Sequence, residues 1–133
     1  MNPQILVTYA TKRGATAEIA EKIGELLRQE GLDASVLPVK DVKDLAPYTA
    51  VILGSAVYVG RWRKEAVKFL EANEQALAGR DVWLFSSGPT GEGDPVELLQ
   101  GWSFPEAQQP IADRIQPHEI VVFHGALAVD DLN

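Results

Sequence analysis

The sequence predicts a doubly wound α/β protein, with an open parallel sheet of five strands and helices on both faces. Two observations indicate this fold. Four short apolar runs read as strands buried on both faces, because they do not alternate with polar residues; they are residues 5–9, 51–54, 82–85 and 120–123. Amphipathic helical patterns separate these runs, and right-handed crossovers turn that order into an open sheet.

Three helices are predicted between the strands. From Thr16 to Glu30 the apolar residues recur at helical spacing, and Gly31 stands where a helix end favours a left-handed residue. A second apolar face runs from Arg63 to Ala78. A weaker third helix spans Ala107 to Ile115, with Pro110 in its first turn, where the missing N–H is tolerated.

The remaining strand fixes the expected strand order. Ala34 to Val39 reads as a strand, but Pro38 lacks the N–H that a central strand donates, so this strand belongs at an edge. Asp41 to Pro47 reads as a single helical turn. An edge position for the second strand favours the order 2-1-3-4-5.

Two segments fall outside the regular pattern. Gly88 to Pro105 covers 18 residues, longer than usual for a connection, which favours a functional loop. Gly125 to Asn133 is too short and too acidic for a helix that returns to cover the sheet. We therefore expect the terminal helix to be missing, and the uncovered face to favour a homodimer.

The length favours a single domain, residues 1–133, and the composition disfavours several classes of protein. A net charge of −7 disfavours nucleic acid as a partner. No apolar stretch has the length of a membrane span and the N-terminus has no signal-peptide pattern, so a cytoplasmic location is expected. Because the chain has no Cys, any redox chemistry must come from a bound organic cofactor.

The first candidate loop lies where ligands collect in such sheets, beyond the carboxyl ends of the strands and between the first and third. It runs from Thr11 to Thr16 and joins a buried strand directly to a helix. Two hydroxyls, the cations Lys12 and Arg13, free helix N–H groups and Gly14 together suit a phosphate. The alternative is that Gly14 only eases a turn and Thr16 only caps the helix.

Two further loops border the same crevice. Residues 55–62 set Tyr58 and Trp62 beside the end of a buried strand, where they either stack on a flat aromatic ligand or cover the core. Residues 86–91 are small, so their backbone amides can approach a ligand's polar edge.

The order of these loops and strands, and the run Thr11-Lys12-Arg13-Gly14-Ala15-Thr16, resemble the flavodoxins and their Thr/Ser-x-x-Gly-x-Thr phosphate loop over nearly the whole chain. The resemblance implies bound FMN and a flavodoxin-like redox function, as an electron carrier or an FMN-dependent oxidoreductase. It places the phosphate among Thr11, Lys12, Arg13, Gly14, Ala15 and Thr16. It places the ring beside Ala56, Val57, Tyr58, Val59, Gly60, Arg61 and Trp62, with Ser87, Gly88, Pro89, Thr90, Gly91 and Gly93 along its other edge.

Within the family, the chain is more similar to the branch of menaquinone-dependent protoporphyrinogen dehydrogenase and to the short-chain electron carriers. The implied partner is a redox protein or a quinone. A third alternative is a domain that keeps the fold, binds no cofactor and acts as an interaction module.

The sequence departs from the family at the second loop. Many flavodoxins place Trp before the loop glycine and an acid after it, whereas this chain has Val59-Gly60-Arg61. Tyr58 or Trp62 would then replace the usual stacking partner. Arg61 is predicted to stabilise the anionic reduced flavin, which would make its potential less negative, unless Arg61 pairs with an acid such as Glu65.

Overall fold

The computed structural model describes residues 4–11, 14–58, 61–88 and 108–124. The strands are β1 (Gln4–Ala10), β2 (Asp33–Pro38), β3 (Ala50–Tyr58), β4 (Arg61–Trp62), β5 (Asp81–Gly88) and β6 (Glu119–His124). The helices are α1 (Gly14–Gln29), α2 (Lys64–Ala72), α3 (Glu74–Ala78) and α4 (Gln109–Ile115), with a 3-10 turn at Val39–Asp41.

The five long strands form a parallel sheet in the order β2-β1-β3-β5-β6, which confirms the predicted fold class and strand order. The strand that contains Pro38 lies at the edge, as its missing N–H predicts. The sequence did not reveal β4, a two-residue strand that pairs antiparallel with the end of β3.

The core lies on both faces of the sheet. On one face α1 packs against the strands. The buried residues of the cluster that they form there are Val7, Ile19, Ala20 and Phe85. The larger cluster on the other face includes residues of α2, α3 and α4 such as Ala66, Phe69, Leu70, Leu77, Ile111 and Ile115. Burial on both faces explains why the strands read as continuous apolar runs.

Two of the predicted helical segments differ from the structure by more than a shift of one or two residues at an end. The second predicted helix is broken at Asn73, where the carbonyl of Phe69 accepts both the backbone N–H of Asn73, at 3.0 Å, and its side-chain Nδ2, at 2.9 Å. The helical turn expected at 41–47 lies instead at 39–41. The position of Pro110 in the first turn of α4 is confirmed.

Two arginines tie the helical side of the fold together. Arg80 donates to the carbonyls of Tyr48 at 2.8 Å and Leu45 at 3.0 Å, which fastens the segment before β3 to the end of α3. Arg114 of α4 binds both carboxylate oxygens of Glu74 in α3, at 2.6 and 2.9 Å. This hydrogen bonding lowers the pKa of Glu74 and raises that of Arg114.

The α1 face of the sheet carries an apolar groove of about 380 Å³, with Ile52, Trp83 and Val121 among its walls. Residues 125–133, which carry the expectation of a missing terminal helix, lie outside the described part of the chain. The same holds for residues 89–107, which include most of the long loop predicted to be functional. Among the described helices, none is long and apolar enough to span a membrane.

Candidate functional site

The predicted crevice lies between β1 and β3. These strands are neighbours, and Ala10 at the end of β1 pairs with Ser55 in β3. From β1 the chain continues to β2 on one side, whereas from β3 it continues to β5 on the other. The connections therefore diverge above this pair of strands, which leaves the opening that ligands occupy in sheets of this type.

The first loop is three residues long, because β1 ends at Ala10 and α1 begins at Gly14. Lys12 and Arg13 lie outside the described residues, as do the side chains of Gly14 and Ala15. Thr16 is only 1% exposed and is the third residue of α1, not its N-cap. The first turn of α1 contains no acidic residue, so its free N–H groups and the helix dipole favour an anion.

The second loop is a hairpin. Val57 pairs with Trp62 and Tyr58 with Arg61, which leaves Val59 and Gly60 between the two strands and outside the described residues. Ala56 is half-buried and Val57 is buried. β3 pairs with β5 as far as Ala56, and beyond that residue it pairs with β4. The hairpin therefore lies at the carboxyl edge of the sheet.

The two aromatic candidates of this hairpin differ. Trp62 is 4% exposed and belongs to the large core cluster, as the core-covering alternative expects. Its Nε1–H donates to the hydroxyl of Ser86 at 2.8 Å. Tyr58 is the last residue of β3, and its side chain lies outside the described set.

Two buried serines, which the sequence analysis placed at the start of the second and third loops, lie within β3 and β5 and hold this hairpin. Ser55 and Ser86 are both 0% exposed and are paired partners in β3 and β5. Ser55 Oγ accepts from the N–H of Arg63 at 2.9 Å and donates to the carbonyl of Ala56 at 2.8 Å. Their signal in the sequence is a serine that closes an apolar run, at Gly54-Ser55 and at Phe85-Ser86.

The third loop begins where β5 ends. Ser87 is buried and pairs with both Ala56 and Phe123, so it lies at the same edge of the sheet as the hairpin. Gly88 is the last residue of β5. The other predicted members of this loop, Pro89, Thr90, Gly91 and Gly93, fall outside the described residues.

The charge on the hairpin is positive. Arg61 is exposed, and within the described part of the chain it takes part in no ion pair. Glu65, the acid considered as its partner, instead binds Arg63 at 2.9 Å. The hydrogen bond from Arg63 lowers the pKa of Glu65. Arg61 is therefore the cation of this hairpin that Glu65 does not neutralise.

A cavity of about 390 Å³ opens on the β2 side of the first loop. Tyr9, Thr11, Lys40 and Glu65 contribute its polar groups. Burial raises the pKa of the Tyr9 phenol, and the charges of nearby acids add to this effect. Lys40 is a cation beside Thr11 that the sequence analysis did not associate with the site.

His118 lies away from this edge, at the amino end of β6. Its Nε2 is 2.8 Å from Asp81 Oδ1, and its ring lies 4.8 Å from that of Trp83. These contacts give His118 a packing role at the surface.

Comparison with known proteins identifies the family. A family profile described as "Flavodoxin domain" matches residues 6–133. The chain belongs to the flavodoxin family. No curated protein sequence gives a significant match.

Solved structures of flavodoxins share the fold. A flavodoxin from the domain Archaea is 20% identical with a TM-score of 0.73, covering 97% of this chain and 88% of its own. The two-electron reduced flavodoxin of Megasphaera elsdenii is 19% identical with a TM-score of 0.71, covering 96% and 89%. Rubredoxin oxygen:oxidoreductase of Desulfovibrio gigas is 15% identical with a TM-score of 0.71, covering 98% of this chain but 33% of its own.

Proposed function

We propose that this chain binds FMN without a covalent bond and transfers electrons through it. The observation that carries the proposal is the start of α1, which follows β1 after three residues at the diverging connections and has no acid in its first turn. Proteins of the flavodoxin family bind a flavin. The donor set of this loop fits the phosphate of such a cofactor.

The proposed phosphate site comprises residues 11–16. Thr16 is buried in the first turn of α1, the turn whose backbone N–H groups have no partner within the helix. Lys12 and Arg13 supply the positive charge that a phosphate dianion needs in a chain of net charge −7. More distant acids matter less, because salt screens exposed charges beyond about 8 Å.

The proposed ring site lies between the hairpin and the end of β5, at residues 56–61 and at 87–91 with Gly93. When bound, the flavin supplies the redox chemistry, while the protein orients it and sets its electrostatic surroundings. Of the two aromatic candidates for stacking, Tyr58 is the one that remains, because the indole of Trp62 is buried in the core. Trp62 then supports the hairpin from behind.

FMN titration tests this proposal directly. At 100-fold excess over Kd, a ligand that binds only the folded state adds about 2.7 kcal/mol to the free energy of unfolding. Riboflavin, which lacks the phosphate, should bind more weakly than FMN, and Lys12→Glu should reduce that difference. Equal affinity for FMN and riboflavin would contradict the phosphate site, and no binding of either would refute the proposal.

Arg61 is proposed to make the two-electron reduction potential of the flavin less negative. A positive charge near the ring stabilises its anionic reduced form. Arg61→Glu should move the potential to more negative values by about 20 mV, as expected for a reversed charge acting across about 10 Å of water-like medium. Lys68→Glu changes the net charge equally from an exposed position on α2 and is the control. Equal shifts in both variants would mean that Arg61 acts only through net charge.

A second candidate function is that of a quinone-dependent enzyme similar to menaquinone-dependent protoporphyrinogen dehydrogenase. The exposed Arg61 favours it, because a less negative potential suits electron transfer to a quinone. Turnover of protoporphyrinogen with a quinone acceptor would support the enzyme, whereas rapid exchange with a flavodoxin reductase and no turnover would support the carrier.

We also propose a homodimer through the apolar groove on the α1 face. Sedimentation over a range of protein concentrations tests this proposal.

A further inference from the structure

The hairpin and the end of β5 are joined by a buried hydrogen bond. β3 and β5 pair as far as Ala56 and Ser87, and beyond this point the end of β3 pairs with β4 instead. Trp62 in β4 turns back towards the sheet and donates its Nε1–H to Ser86 Oγ at 2.8 Å. This side-chain contact connects the second strand of the hairpin to the carboxyl end of β5.

Two consecutive residues, Trp62 and Arg63, are held in this way. Ser86 holds the side chain of Trp62, while its paired partner Ser55 accepts a hydrogen bond from the backbone N–H of Arg63. Both serines are fully buried. Hydrogen bonds in such surroundings are strong, because water does not compete for the donor or the acceptor.

Packing alone does not account for this pair. The apolar surface of Trp62 belongs to the core cluster that includes Val57 and Ala66, and a Phe ring would serve the same purpose without a polar atom. A buried indole N–H requires an acceptor, and Ser86 supplies it here, so the hydrogen bond ties the orientation of the indole to Ser86. The contact therefore fixes a position as well as filling space.

We propose that Trp62 is a positioning residue, which acts through Ser86 to set the relative placement of the hairpin and the end of β5. This inference rests on the proposed function, because these two segments flank the proposed ring site. Trp62 does not touch the flavin in this arrangement. It determines instead how well the opening between the two loops matches the thickness of the ring.

Flavin affinity provides the first test. Trp62→Phe and Ser86→Ala should each weaken FMN binding by up to about fivefold, the limit set by the full loss of one buried hydrogen bond. The double variant should lose no more than about twofold beyond either single variant, because both remove the same interaction. Trp83→Phe is the control, since Trp83 is a half-buried indole of β5 on the α1 face and should leave affinity unchanged. Wild-type affinity in Trp62→Phe, or additive losses in the double variant, would overturn the inference.

Amide hydrogen exchange in the FMN-free protein provides a test that does not depend on the cofactor. Trp62→Phe should speed exchange at 86–88 as well as at 57–62, and leave β2 unchanged. A structural role without positioning would raise exchange through the whole sheet or only within the hairpin, and either pattern would overturn the inference. If the wild-type protein binds no FMN, the proposed function is wrong, while the exchange pattern still decides whether Trp62 couples the two segments.

Discussion

Gly54 is the residue of β3 at which a single added methyl group should matter most. It pairs with Tyr9 of β1 and with Phe85 of β5, so strands flank it on both sides. A Cβ at this position would lie 2.0 to 2.3 Å from three atoms of the Phe85 ring. Side-chain carbons do not approach ring atoms more closely than about 3.0 Å, so the ring or the strand must move by about 1 Å.

We expect Gly54→Ala to lower the free energy of unfolding by about 2–3 kcal/mol, the upper part of the range for overpacked cores. Urea denaturation measures this loss. Gly79→Ala is the matched control, because its Cβ would meet only one atom, at 3.9 Å. Phe85→Leu in the Gly54→Ala background should recover part of the stability by removing the ring atoms that clash. A Gly54→Ala protein within about 0.5 kcal/mol of wild type would refute the reasoning, since that range is typical of harmless surface changes.

The same perturbation bears on function, because Gly54 and Phe85 directly precede the buried serines of the site. A displaced β5 would move Ser86 away from the indole of Trp62, whose hydrogen bond is 2.8 Å long. Gly54→Ala should therefore weaken FMN binding under conditions in which the variant is still folded. Full affinity would show that the strain is absorbed on the α1 face alone.

Two further predictions concern stability. Thr8 is fully buried, and within the described residues its hydroxyl has no hydrogen-bond partner, so Thr8→Val should raise the free energy of unfolding by about 1 kcal/mol in urea denaturation; a loss of stability would indicate a hidden partner. The lowered pKa of Glu74, caused by hydrogen bonding from Arg114, means that the pair stabilises the fold above the ordinary pKa of 4.5 and that this contribution is lost as the pH falls through the lowered value. The stability difference between wild type and Glu74→Gln should accordingly be largest near neutral pH and vanish in acid, and a constant difference would contradict this account.

The sheet could be predicted from the sequence because its determinants are local. Continuous apolar runs mark strands that are buried on both faces, and the structure buries Leu6, Val51 and Val82 completely. Pro38 marks the edge strand because proline lacks the backbone N–H that a central strand donates. Given these strands and the handedness of their crossovers, the order followed, and with it the location of the crevice between β1 and β3.

The parts that could not be predicted depend on contacts between distant residues. β4 is two residues long and exists because Val57 and Tyr58 pair with it, so it leaves no periodic pattern. At the break at Asn73 the side chain and the backbone N–H both bind the carbonyl of Phe69, while the apolar spacing continues through this residue and so does not mark it. The place of Trp62 in the core depends on Ser86, 24 residues away, which no spacing rule connects to it.

The serines explain why an apolar sheet can end in a polar site without losing stability. A polar side chain at the end of a buried strand is costly unless it finds a partner. Ser55 and Ser86 find theirs in the hairpin, so the same hydrogen bonds that satisfy the strand ends also hold the hairpin over the crevice. Because these partners come from the protein itself, the frame of the proposed ring site does not need the cofactor to form. The position of the two flanking segments is then a property of the folded chain, which is why a change as small as Trp62→Phe should be visible in the FMN-free protein.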